Sequence, residues 1–173
     1  MKATDLPYGA IILERSDFKK SWAKRKGLSK IRCFLPPLIR FFTGGYYNHC
    51  FIVGDQIYDP DYPRCVKRPK EWAKGIEAEV WLPIQYKEVD FSTIENKPYN
   101  LTDTLFYQLI YQLTGRKVWL GRKGSKSRKQ IYCSEGVCLP YGGLFPFAFR
   151  MDTEQLRQEL KGKFVSIFVG KLE

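Results

Sequence analysis

"YYNHCFIVGDQIYD", residues 46–59, decides how this chain folds. Its apolar and β-branched residues run up to Gly54-Asp55 and resume beyond it, which predicts a hairpin: one strand over 48–53, a turn at 54–55 and a second strand over 56–59. Pro60 and Pro63 should end that pairing. The hairpin also carries the only histidine of the 173 residues, His49. Imidazole is the side chain whose ordinary pKa, near 6.5, suits a base at neutral pH.

Further strands are expected on either side. "YGAIILE" (8–14), "EAEVWLPI" (77–84) and "FVSIFVG" (164–170) are apolar and rich in β-branched residues. Helices are expected between them. One begins near Ser16, a suitable cap, and breaks at Gly27. A second places Leu28, Ile31 and Leu35 on one face, and Pro36-Pro37 must end or kink it. Leu101, Leu105, Leu109 and Leu113 repeat every four residues and predict a helix over 101–113. "IYCSEGVCLP" (131–140) starts a short helix that Pro140 should end, and Asp152 caps a helix in "DTEQLRQELKGK" (152–163). Residues 85–99 read as loop. The order of elements gives a single α+β domain over 1–173 with a mostly antiparallel sheet packed against helices.

Composition narrows the function classes. At 44% hydrophobic residues the chain has enough apolar side chain for a core, which argues against global disorder. No apolar run approaches the roughly 18–20 residues that span a bilayer. The opening "MKATDLPYGAIILERSD" lacks a signal-peptide core, so a cytoplasmic location is expected. Five cysteines without a C-x-x-C pair favour reduced thiols over a disulfide framework. With one histidine, zinc would need scattered thiols, so neither metal nor cofactor is expected. The net charge of +11 is concentrated in "KKSWAKRKGLSKIR" (19–32) and "GRKVWLGRKGSKSRKQ" (115–130), stretches suited to an anionic lipid or cell-wall polymer. Nucleic acid is the weaker partner, because no helix-turn-helix, zinc-finger or RNP motif accompanies the charge. Such runs are also ordinary solvated surface.

The chemistry centres on Cys133, at an expected loop-to-helix boundary. Free amides at a helix start favour a thiolate and can hold an oxyanion. A thiol nucleophile needs a base, and His49 is the one histidine available. The base in turn needs a polar group to fix its tautomer. Asp59 on the neighbouring strand fits that role if the hairpin register is near symmetric, with Gln56 as fallback. By strand alternation Cys50 should point away from His49 and serve as core. Cys138 is a candidate resolving thiol or a packing residue.

Taken together, "YGAIILE", "IRFFTGGYYNH" (39–49), "HCFIVGDQIYD" and the late "YCSEGV" (132–137) resemble the circularly permuted branch of the NlpC/P60 papain-like thiol hydrolases, of the YiiX/YebB type. Lecithin retinol acyltransferase-like enzymes and a poxvirus protein are distant members. The resemblance runs from about residue 7 to 150 and rests on F-T-G-x-x-x-x-H followed by Y-C-S-E. In this branch the histidine strand precedes the cysteine helix, the reverse of ordinary papain-like enzymes. The resemblance implies a permuted papain-like fold with Cys133 as nucleophile at a helix N-terminus, His49 as general base and Asp59 in the third position. Glu135 matches the acidic residue after C-S, and Tyr132 and Tyr47 are candidates to shape the cleft. The helix after Cys133 departs from the pattern, since Gly136 and Pro140 weaken it.

The expected function is a cysteine hydrolase (a peptidase or amidase in class terms) cleaving amide or peptide bonds through a thioacyl intermediate. The alternatives are a lipid acyl hydrolase or acyltransferase of the same fold, and a non-catalytic basic protein binding nucleic acid or membrane. The substrate is accordingly a peptide or an acyl lipid. A cell-wall substrate would need lysis or phage-type delivery, which a phage or other mobile-element origin would supply.

Overall fold

The centre of the molecule is a six-stranded sheet in the order β4-β3-β2-β1-β5-β6, every neighbour antiparallel. The strands are β1 (Ile11–Arg15), β2 (His49–Val53), β3 (Ile57–Pro60), β4 (Cys65–Arg68), β5 (Glu77–Pro83) and β6 (Phe164–Lys171). Two α-helices accompany them among the described residues, α1 (Cys133–Cys138) and α2 (Thr153–Leu160). The computed structural model describes residues 1–15, 46–61, 63–85, 87–100, 131–146 and 151–173. The helices expected over 16–26, 28–42 and 101–113, and both basic stretches, lie outside these residues.

Alternation along the central strands feeds two cores, one on each side of the sheet. Ile11, Leu13, Cys50, Ile52 and Trp81 face α1 and α2 and pack with Val137, Leu156 and Leu160. Ile12, Phe51, Val53, Ala78 and Val80 face the other way, onto Ala3, Leu6 and Leu172, with Trp72 against them. Phe51 is fully buried, and burial of such a side chain contributes about 1.5–3 kcal/mol. At the sheet's end, β6 turns Val165, Ile167 and Val169 outward. The two ends of the chain meet beside β5: the Ala3 amide donates to the Glu173 carbonyl (2.8 Å), and the Glu173 amide donates to the Met1 carbonyl (3.0 Å).

Several elements match the sequence reading and several differ. The hairpin, β5 and β6 occupy the expected stretches. α2 carries a capping box, with Asp152 accepting from the Gln155 amide while the Gln155 side chain accepts from the Asp152 amide. β1 begins at Ile11 rather than Tyr8, because Gly9 takes a left-handed turn at φ 76°. The pairing of β2 with β3 stops before Pro60, as expected, but Pro60 is still the last residue of β3 and lies opposite Cys65 of β4, a strand the sequence did not announce. Proline tolerates that place because it closes the strand. Pro140 ends α1 as a regular helix, but the chain continues as a 3-10 turn over Leu139–Leu144. No helix among the described residues is long and apolar enough to cross a membrane.

Candidate active site

The site forms where β2 and β3 part. The two strands are paired at Ile52–Tyr58 and Val53–Ile57, near the turn. Toward His49 the register is no longer kept, and α1 packs against this opening. Close approach there needs a glycine. A Cβ on Gly136 would come within 2.6 Å of the Pro60 ring, so only glycine lets α1 settle against β3.

His49 bridges the opening. Its Nε2 lies 2.6 Å from Oδ1 of Asp59, and the Cys133 side chain is near enough to the ring to favour its charged form. The sequence expected Asp59 as a cross-strand neighbour. Continuing the register of the turn end would set Asp59 two residues nearer the turn than the position opposite His49, and the carboxylate reaches the imidazole across that diagonal. Asp59 is 1% exposed, and its second oxygen accepts from Arg68 Nε at 2.5 Å. The guanidinium also lies 3.3 Å from Asp61 and over the Trp72 ring, 4.5 Å from its centroid.

Two more groups reach the sulfur. Cys50 hydrogen-bonds Cys133, although alternation should have sent Cys50 and His49 to opposite faces. The rule fails here because His49 is the first residue of its strand and turns toward the opening, while Cys50 keeps its place facing α1. Tyr99 is the other group. Its segment runs parallel to Ile131, with the Ile131 amide donating to Pro98 (2.9 Å) and the Asn100 amide to Ile131 (2.8 Å). That bridge brings the Tyr99 hydroxyl to Cys133. In sequence this segment, within 85–99, carries only a loop signal.

These contacts set the charge states. For Cys133 the strongest influence is the Cys50 hydrogen bond. Burial opposes it, and His49 and Tyr99 add to it, so the thiol is held well below its ordinary range. For His49, burial disfavours the charged ring, but Asp59 and Cys133 outweigh it and push its pKa well above 6.5. Burial likewise works against the Asp59 carboxylate, yet His49 and Arg68 bring its pKa below the usual value. The arrangement therefore favours a thiolate beside an imidazolium. The other thiols differ. Burial pushes Cys65 up to about 12 and holds Cys50 and Cys138 well above their usual range.

The remaining candidates lie elsewhere. Gln56 sits exposed in the hairpin turn, at the opposite end of β2 from His49. Glu135 is fully buried in the first turn of α1, where its charge acts on Cys138. Tyr132 is buried at the N-cap position of α1 and accepts the Gly136 amide through its carbonyl. Tyr47 bonds Glu79, which is paired with Arg157 of α2 at 2.7 Å. It braces α2 on the sheet rather than meeting Cys133. Cys138 is fully buried among core residues. Among the described residues no group of His, Cys, Asp and Glu side chains could hold a metal ion. No family model, curated protein or solved structure matches this chain.

Proposed function

We propose that this chain is a cysteine hydrolase of amide or peptide bonds, built on a permuted NlpC/P60 papain-like fold. The observation that carries the reading is His49 held between Cys133 and the buried Asp59. Cys133 Sγ attacks the carbonyl carbon, and the His49 imidazolium passes its proton to the departing amine. His49, now neutral, takes a proton from water, which attacks the thioester and releases the acid. Asp59 keeps the ring aimed throughout and stabilises its charged form. Cys50 and Tyr99 favour the thiolate before attack by donating to the sulfur. On an ester the same steps give the lipid acyl hydrolase reading, and an acceptor hydroxyl or amine in place of water gives the acyltransferase reading. The net charge of +11 favours an anionic substrate or surface in either case.

Alkylation tests the reading. Iodoacetamide at pH 6.5, followed by peptide mapping, should label Cys133 at least about tenfold faster than Cys65, because rate follows thiolate fraction. Equal rates at the two thiols would remove the nucleophile. Peptide libraries and lipid extracts offered to wild type and Cys133→Ala would then reveal the substrate as a thioacyl adduct carried only by wild type.

A further inference from the structure

We propose that Arg68 is a positioning residue of this site, fixing Asp59 as a carboxylate aimed at His49 and neutralising the assembly while Cys133 is a thiolate. The proposal rests on the thiol-hydrolase reading above. Its basis is an alternating row of groups: Cys133 sulfur, His49 imidazole, Asp59 carboxylate, Arg68 guanidinium. Each oxygen of Asp59 has its own partner, Oδ1 at 2.6 Å from His49 and Oδ2 at 2.5 Å from Arg68. The carboxylate cannot rotate away from His49 without also breaking the Arg68 contact. Arg68 is itself held, by Asp61 at 3.3 Å and by the Trp72 face, and Trp72 packs edge-on against Phe51 beneath β2 at 5.7 Å.

The charge count explains why an arginine belongs there. Thiolate, imidazolium and carboxylate alone sum to one negative charge in a largely buried place. An unbalanced charge costs most where solvent is excluded, and the simplest relief is a proton on the sulfur. Arginine restores neutrality because it stays protonated at all working pH. Other groups face the row. On β2 and β4 the Cys50 and Cys65 thiols are kept protonated by burial. Tyr99 donates to the sulfur, Glu135 on α1 acts on Cys138, and Asp61 shares Arg68 from a quarter-exposed position where solvent screens it. Among the described residues Arg68 is therefore the cation that balances Asp59 once His49 is paired with the thiolate.

The test follows Cys133 alkylation from pH 4 to 9 in wild type, Arg68→Met and Arg68→Lys. Methionine keeps an apolar stem over Trp72 and deletes the charge, whereas lysine keeps the charge and loses the fork. The alkylation midpoint of Arg68→Met should rise by about one pH unit, cutting the rate about tenfold at pH values below both midpoints, with Arg68→Lys recovering most of it. A merely structural role would lower stability without moving the midpoint. An unmoved midpoint in Arg68→Met overturns the proposal, and so does an equal shift in both variants. Should Arg68→Met not fold, Arg68→Gln replaces it under the same criteria. Wild-type Cys133 reacting no faster than Cys65 would instead fell the hydrolase reading itself, before any arginine variant is compared.

Discussion

A single imidazole carries the acid–base work proposed for this molecule, so its neighbours decide how it behaves. Asp59→Asn keeps the shape but removes the charge that holds the ring. We expect turnover of the identified substrate to fall about 10²- to 10⁴-fold, measured as kcat, with the fold retained. The pH dependence of stability is a second expectation. The raised His49 pKa contributes stability that is complete below 6.5 and lost as pH climbs through the folded value. The lowered Cys133 pKa contributes stability that is complete above 9.0 and lost as pH falls through the folded value. Within the window from 6.5 to 9.0 the unfolded pair holds one proton, and wherever the folded pair also holds one, between the lowered Cys133 value and the raised His49 value, the two slopes cancel. Urea unfolding should show this plateau, and Cys133→Ala should replace it with a decline contributed by His49 alone. At this scale the sequence was readable where residue types are scarce: one histidine leaves one partner for a thiol. Cys50, Tyr99 and Arg68 were not readable. Their contacts depend on a strand end that breaks alternation, a parallel bridge from Tyr99 to Ile131, and a short strand without a periodic signature.

Among the elements, α1 is the one whose seat matters most. It is six residues long and contains a glycine, so it owes its position to packing rather than to intrinsic helicity. Gly136→Ala would push a methyl toward the Pro60 ring, which cannot bend away as a flexible side chain would. We expect a loss of about 1–3 kcal/mol in chemical denaturation and slower Cys133 alkylation, as α1 is lifted off β3. Asp152→Ala provides the contrast. It deletes the capping box of α2 at a cost of about 0.5–2 kcal/mol, yet should leave the Cys133 alkylation midpoint where it was. An unchanged stability in Gly136→Ala would mean that α1 and β3 are not in the tight contact described. α2 was legible because capping is local and begins at Asp152, whose box with Gln155 lies within four residues. β4 was hidden because Cys65–Arg68 is only four residues long, follows two prolines and is exposed along part of its length.

At the scale of the molecule, the element order gave the α+β class and the antiparallel sheet, since β2 and β5 are short buried apolar runs bounded by turns and β6 alternates with period two. The strand order was not legible, because β1 inserts between β2 and β5 through pairings that no local signal encodes. The meeting of Met1, Ala3 and Glu173 at one place has a consequence for the order in which the chain can be written. A short glycine–serine joint would close the backbone into a ring with little strain. Reopening that ring between Lys87 and Glu88, both exposed, cuts neither a strand nor a helix. Such a molecule would be synthesised with Cys133 ahead of His49. It should melt cooperatively in circular dichroism and keep the alkylation midpoint of its parent, whereas a chain that failed to fold would show that the link from β5 onward is indispensable. The spatial arrangement of the site would then be separable from the direction in which the polypeptide runs through it.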